Sequence, residues 1–112
     1  MLKHELSNGI DILSFEGVNK LNILFTESLK ENVSQYILKP NSKLILDLKG
    51  IEYVDSSGFG ALLSILRETK NNDSQFKLCN ITPEVMELVT LLQLHNVFDI
   101  RSSVEESINS FE

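Results

Sequence analysis

The stretch from Leu44 to Leu66, LILDLKGIEYVDSSGFGALLSIL, passes from a strand pattern through a turn into a helix pattern. Its opening run LILDL is almost wholly aliphatic, as in a strand that is buried on both faces. Its second half repeats apolar residues at helical spacing, namely Phe59, Leu62, Leu63 and Leu66. Between them, Asp55–Gly60 places two adjacent hydroxyls where the helix begins. Backbone N–H groups are unpaired there and the helix dipole is positive, so such a hydroxyl either caps the helix or can carry a phosphate.

Length and composition limit the number of domains and the cellular compartment that can be expected. With 112 residues, of which 42% are apolar, the chain is expected to form one globular domain over residues 1–112. The opening MLKHELSNG lacks the apolar segment and cleavage site of a leader, and no apolar run approaches the length of a membrane span. The single cysteine, Cys79, lies among apolar residues and is expected to be a buried, inert thiol. These features predict a cytoplasmic protein without direct membrane insertion.

The charge of the chain excludes one class of partner. The formal net charge is -6, and the ten lysines and arginines are scattered along the sequence. Binding to nucleic acid depends on clustered basic side chains that neutralise phosphates. We therefore expect no nucleic-acid partner, and a protein or a small ligand instead.

The rest of the chain alternates strand and helix patterns. Ser7-Asn8-Gly9 is typical of a hairpin turn between the first two strands, and Pro40 is expected to close the first helix. Strands are predicted at 2–6, 10–15, 43–48, 75–79 and 97–100, with a β-favouring patch at 51–54. Helices are predicted from Asn22 to about Leu38, from the Asp55–Gly60 turn to about Asn71, from Thr82 to about Leu92, and from Ser103 onward.

This order predicts an α/β fold with a mostly parallel sheet of about five strands, covered by about four helices. The first strand is expected to be antiparallel, as part of a hairpin. The carboxyl edge of such a sheet is where ligands and partners bind, and the Asp55–Gly60 turn follows a strand at that edge. The predicted core consists of Ile45, Leu46, Leu48, Val54, Leu62, Leu63, Leu66, Leu78, Val85, Leu88 and Leu92.

The buried strand, the turn, the hexapeptide Asp-Ser-Ser-Gly-Phe-Gly and the apolar helix together resemble the STAS domain of bacterial anti-sigma factor antagonists. The resemblance spans essentially the whole chain, and its specific part runs from Ile51 to Leu63. It implies that Ser56, the first hydroxyl after Asp55, is the phosphoacceptor, with Ser57 as the less favoured choice. It also implies a partner that is both an anti-sigma factor and a serine kinase, which binds the unphosphorylated form, and a serine phosphatase that reverses the modification.

The same resemblance gives a set of residues for partner binding. Many members carry Gly-x-Leu/Ile-Asp after the second strand, and that Asp helps to engage the kinase. Here the segment is Gly17-Val18-Asn19-Lys20, so Asn19 or Lys20 replaces the acid, and this departure bears on kinase recognition. A plain solvated turn before the cap Asn22 is the alternative for these two residues. The expected partner-binding set is Asp55, Ser56, Ser57, Gly58, Phe59, Gly60, Asn19 and Lys20.

Individual side chains of this set have roles of their own. Gly58 and Gly60 lack a Cβ and would let another backbone come close. Phe59 has the helical phase of an inward-facing residue. From the hexapeptide alone, Ser and Asp are also ordinary helix caps, so a purely structural role for the turn stays open.

Other constellations predict no catalytic, metal or cofactor site. His4 and His95 are far apart and lack companions at ligand spacing, and Asp47 is expected to cap a turn. Ser56 lacks the flanking glycines of a hydrolase nucleophile elbow, so we expect a binding module and not an enzyme.

One apolar surface and one alternative function remain open. Met86, Leu91 and Leu94 form a patch if they face outward, although Leu91 and Leu94 are expected to fold back onto Val97 and Phe98. The alternative function is an unphosphorylated STAS subunit of a stable assembly, such as a membrane lipid-transport ATPase complex or a stressosome-like scaffold.

Overall fold

A computed structural model describes residues 2–111. Its strands are β1 (Leu2–Ser7), β2 (Ile10–Phe15), β3 (Lys20–Leu21), β4 (Lys43–Asp47), β5 (Tyr53–Val54), β6 (Gln75–Cys79) and β7 (Asp99–Arg101). Its helices are α1 (Ile23–Ser34), α2 (Ser56–Asn71), α3 (Pro83–Leu91) and α4 (Val104–Asn109), with a 3₁₀ turn at Leu94–Asn96.

Five strands form the main sheet in the order β1-β2-β4-β6-β7. β1 and β2 pair antiparallel with Ser7 opposite Ile10, and all the other pairs are parallel. Asn8 and Gly9 both adopt positive φ, as a tight turn between two strands requires. The predicted architecture, a mostly parallel sheet with an antiparallel first strand and four helices, is confirmed.

The two faces of the sheet are covered unequally. One face carries the large core, where Leu44, Leu46 and Leu78 pack beneath side chains from α1, α2 and α3. The other face carries a small cluster of Ile10, Ile12, Ile45 and Cys79, which packs against apolar residues of the C-terminal segment from Val104 to Phe111. The region between β4 and α2 therefore lies beside the larger core.

Each α-helix begins at a capping residue, and for α1, α3 and α4 it is the residue at which the sequence predicts the helix start. The side chains of Asn22, Asp55, Thr82 and Ser103 each accept a backbone N–H from the first turn of α1, α2, α3 and α4, respectively. Such caps satisfy N–H groups that have no partner inside the helix. They fix the points at which the chain leaves the sheet edge, including the start of α2.

Several predicted boundaries were wrong. α1 ends at Ser34, not near Leu38, because the chain tightens into turns in which the N–H groups of Tyr36 and Ile37 bond three residues back. The last strand is Asp99–Arg101, not 97–100, because the N–H groups of Val97 and Phe98 bond to Leu94 after the 3₁₀ turn.

The α3 region corrects the predicted core. Leu88 and Leu92 are exposed and Leu63 is only partly buried, while the rest of the predicted core is buried. α3 buries only Val85 and Val89, and it ends before Leu92 can complete the apolar stripe. Leu91 is exposed instead of folding back, whereas Leu94 packs partly against the core.

The thiol of Cys79 is fully buried. Burial raises its pKa to about 11, and the nearby carboxylate of Asp47 adds to the rise. Because the thiolate is the reactive form, we expect the native protein to resist an aromatic disulfide reagent at neutral pH and to react fully once denatured. Prompt modification of the native protein in a thiol-release assay would contradict this.

Candidate functional site at the start of helix α2

Asp55 caps α2, which leaves the two serines with different roles. Its Oδ1 accepts the backbone N–H of Gly58 at 2.9 Å and the hydroxyl of Ser57 at 2.6 Å. Ser57 is partly buried and its hydroxyl is held by this bond. Ser56 is exposed, and across residues 2–111 its hydroxyl has no hydrogen-bond partner. Of the two hydroxyls, that of Ser56 is therefore open to solvent.

The turn is fixed in place by the small second sheet, in which β3 and β5 pair in parallel. Lys20 lies opposite Tyr53, and Leu21 lies opposite Val54. The N–H of Asp55 donates to the carbonyl of Leu21 at 3.1 Å, which extends this pairing into the cap. β3 was not predicted, because a strand of two residues is too short to show a periodic pattern.

Gly58 is buried against its own chain. A Cβ at this position would lie 2.5 Å from the carbonyl oxygen of Leu21 and 2.7 Å from Cγ1 of Val54. Gly58 was expected to let a partner's backbone come close, but the backbone that lies against it is that of β3. Gly60 is exposed, and a Cβ there would meet nothing within 4 Å.

The remaining residues of the predicted partner-binding set differ in their burial. Phe59 packs into the core, as its helical phase predicts, and supports the turn from below. Asn19 and Lys20 are exposed, and the carbonyl of Asn19 accepts the N–H of Glu52 at 2.8 Å. The structure thus brings Asn19 and Lys20 to the strand beside the turn, although they are distant from Ser56 in sequence.

Sequence reasoning missed three exposed apolar side chains beside this turn: those of Ile23, Leu24 and Tyr53. The buried stripe of α1 consists of Phe25, Thr26, Leu29 and Val33. Ile23 and Leu24 lie outside that stripe, so helical phase was the signal that predicts their exposure.

Hydrogen bonding also sets the electrostatics of the cap. The pKa of the Asp55 carboxyl is lowered from 3.8, first by the hydroxyl of Ser57 and then by the N–H of Gly58. Hydrogen bonds to the charged form of an acid favour that form. Asp55 is therefore ionised at neutral pH and presents a negative charge beside Ser56.

An Asp55→Ala variant should unfold at a lower temperature than the wild type at neutral pH. Because the folded-state pKa is depressed, the stability that Asp55 adds is complete above the unfolded value of about 3.8 and disappears as the pH falls through the lower folded value. Thermal melts of both proteins from neutral to strongly acidic pH should show the difference shrinking at the acid end. A gap that is constant across this range would contradict the assignment.

The other polar groups agree with structural roles. Oδ1 of Asp47 accepts the N–H of Lys49 at 3.0 Å and the amide of Asn80 at 2.9 Å, so Asp47 caps a turn as predicted. His4 bonds to Asp11 at 2.7 Å and stacks on Tyr36. Within residues 2–111, no three His, Cys, Asp or Glu side chains cluster as metal ligands would. In the same part of the chain, none of the helices has the length and apolar character needed to span a membrane.

The STAS domain family model matches residues 6–107. The chain therefore belongs to the STAS domain family. Among curated relatives, BtrV of Bordetella bronchiseptica, a candidate anti-sigma factor antagonist, is 23% identical over 105 residues, which are 94% of this chain and 89% of that protein.

Solved structures share the fold. A candidate anti-sigma factor antagonist from Thermotoga maritima superposes with a TM-score of 0.85 at 24% identity, covering 96% of this chain and 92% of that one. The Bacillus cell fate determinant SpoIIAA, in its phosphorylated form, gives a TM-score of 0.68 at 19% identity, with 97% of each chain covered.

Proposed function

We propose that this protein is an anti-sigma factor antagonist that is switched by phosphorylation of Ser56. In this proposal the unphosphorylated protein binds an anti-sigma factor with serine kinase activity, in the cytoplasm, and so releases a sigma factor. Phosphorylation ends the binding, and a serine phosphatase restores it. The protein itself is a binding module, without catalysis or a cofactor.

The observation that carries the proposal is the difference in hydrogen bonding between the two serine hydroxyls at the start of α2. Asp55 already caps the helix and holds Ser57, so the exposed Ser56 hydroxyl is left free of structural duty. A kinase can reach such a hydroxyl, and its modification breaks no side-chain hydrogen bond among residues 2–111. The description of BtrV as a candidate anti-sigma factor antagonist, and a phosphorylated form of SpoIIAA with the same fold, support this assignment.

The switch has a simple electrostatic basis. A phosphate adds about -1.5 to -2 charges at neutral pH. Within the domain, the positive end of the α2 dipole favours an anion at Ser56, so the fold should tolerate it. At an interface the same charge adds to that of ionised Asp55 and must be desolvated, which opposes association.

The proposal is tested on protein isolated from cells, by intact mass and peptide mapping. We expect a fraction with one phosphate, retained by a Ser57→Ala variant and lost from a Ser56→Ala variant. The Ser57 variant is a matched control because it removes the adjacent hydroxyl. Absence of phosphate under all growth conditions, or its persistence in Ser56→Ala, would overturn the proposed switch.

A second candidate is an unphosphorylated subunit of a stable assembly, such as a membrane lipid-transport ATPase complex or a stressosome-like scaffold. It is favoured by Leu88, Leu91 and Leu92, which are exposed on or next to α3. Exposed apolar patches commonly mark protein interfaces. This candidate predicts no phosphate on Ser56 and co-purification with a fixed partner that is lost in a Leu91→Ser variant.

A further inference from the structure

We propose that the kinase partner binds this protein through an apolar ridge formed by Ile23, Leu24 and Tyr53, and that it places an acidic group against Lys20. The inference rests on the proposed function and adds to it the residues that hold the partner and the charge the partner presents.

The ridge is unusual in its exposure. The exposed fractions of Leu24, Ile23 and Tyr53 are 90%, 74% and 51%. Large apolar side chains that are exposed on neighbouring segments are typical of a protein interface. No packing requirement of the fold explains them, since the buried stripe of α1 begins only at Phe25.

The ridge is attached directly to the Ser56 turn. Ile23 and Leu24 open α1 two and three residues after Leu21, whose carbonyl accepts the N–H of Asp55. Tyr53 precedes Ser56 by three residues in the chain and pairs with Lys20 across the small sheet. All four side chains therefore belong to the segments bonded to the start of α2.

The position of the ridge beside Ser56 indicates that the kinase is the protein that binds it. A kinase must bring its active site onto the Ser56 hydroxyl, and a standard protein interface covers about 800 Å² on each partner, a disc of about 16 Å radius. A footprint of that size, centred on Ser56, covers segments that are hydrogen-bonded to its turn. The same ridge would hold the unphosphorylated protein after docking.

The charge of the partner follows from Lys20. The chain carries a net charge of -6, yet Lys20 is exposed and, within residues 2–111, lies in no ion pair. The segments that are hydrogen-bonded to its strand also carry Glu52, which is exposed, and ionised Asp55, and within residues 2–111 neither forms an ion pair with Lys20. A carboxylate on the partner would complement this free cation. A second copy of the chain related by a two-fold axis through the ridge would instead bring the two Lys20 side chains towards each other.

The experiment uses matched pairs of variants. The probe is the purified kinase that is captured by the Ser56→Ala protein and that phosphorylates Ser56 in the presence of ATP. Leu24→Ser should weaken its binding at least about tenfold, because burial of a leucine side chain contributes about 1.5–3 kcal/mol and serine loses that contribution. Leu91→Ser, at a residue on α3 that is 76% exposed, should change binding less than about twofold.

The charge is tested in the same titration. Lys20→Glu should weaken binding about tenfold, and raising the salt concentration should reduce this effect, because salt screens exposed charges. Lys39→Glu makes the same change at an exposed lysine and should have little effect. Lys39 precedes β4 and so lies near the amino-terminal ends of the parallel strands, whereas α2 starts near their carboxyl-terminal ends. Thermal melts would verify that all four variants fold.

The outcomes separate the inference from the proposed function. If the kinase binds and phosphorylates Ser56 but Leu24→Ser and Lys20→Glu bind as tightly as their controls, the ridge is wrong and the proposed function stands. If no protein that binds the chain phosphorylates Ser56, both fail. If the free chain is a dimer that Leu24→Ser converts to a monomer, a second copy covers the ridge, and the inference is overturned.

Discussion

A Ser56→Asp variant is expected to lose binding to the kinase partner while keeping the fold of the wild type. The introduced carboxylate would lie beside ionised Asp55, at the exposed start of α2. Unfavourable like charges at an interface cost several kcal/mol, so we expect at least about 2 kcal/mol, or about a thirtyfold weaker complex. Ser56→Ala, which cannot be phosphorylated, should bind at least as tightly as the wild type.

Two controls make this prediction specific. Thr90→Asp adds the same charge at an exposed position of α3 and should leave binding nearly unchanged. Thermal unfolding should give similar melting temperatures for all the variants, since neither Ser56 nor Thr90 makes a side-chain hydrogen bond among residues 2–111. Binding of Ser56→Asp with the affinity of Ser56→Ala, measured by calorimetry, would refute the electrostatic switch.

A Gly58→Ala variant is expected to destabilise the protein strongly. The added Cβ would meet the carbonyl oxygen of Leu21 at 2.5 Å and a methyl group of Val54 at 2.7 Å, and neither belongs to a flexible side chain that can move aside. Overpacking typically costs about 1–3 kcal/mol. We expect the upper end of that range, and thus a melting temperature lower by about 10 °C.

Gly60→Ala is the matched control, two residues further along the same helix. A Cβ there meets nothing within 4 Å, and its φ is not in the left-handed region. Alanine inside a helix is favoured over glycine by about 0.5–1 kcal/mol, so this variant should be slightly more stable than the wild type. Equal melting temperatures for the two variants would show that α2 does not pack against β3 as the structure has it.

Much of the fold could be predicted because its signals are local and repeated. The aliphatic run of β4, the helical spacing from Phe59 to Leu66 and the Asn8-Gly9 turn each satisfy one simple rule. The caps of α1, α3 and α4 were equally visible, because Asn, Thr and Ser are preferred at the start of a helix.

The errors share a different physical cause. Leu88 and Leu92 continue the apolar spacing of α3, but the sequence does not show that the helix ends at Leu91 or that no described element covers that side. Likewise, β3 exists only because Lys20 and Leu21 meet Tyr53 and Val54, residues more than thirty positions away. Such contacts depend on tertiary packing, which local sequence patterns do not predict.

The site was predicted at the level of the turn but not at that of single atoms. The hexapeptide placed Asp55, Ser56 and Ser57 at a helix start, and any of the three can cap a helix. Only the geometry shows that Asp55 is the cap and that it also holds the hydroxyl of Ser57. That Ser56 is the phosphoacceptor, and that residues 1–112 form a single domain, stay predictions.

The central claim is that a phosphate on Ser56 abolishes partner binding without changing the fold. The most direct test compares, by calorimetry, the affinity of one protein preparation for the kinase partner before phosphorylation, after it, and after removal of the phosphate by a serine phosphatase. The account predicts tight binding before phosphorylation, no binding after it, and recovery once the phosphate is removed. Amide NMR spectra should change only around the start of α2. Equal affinity of the phosphorylated and unphosphorylated forms would contradict it.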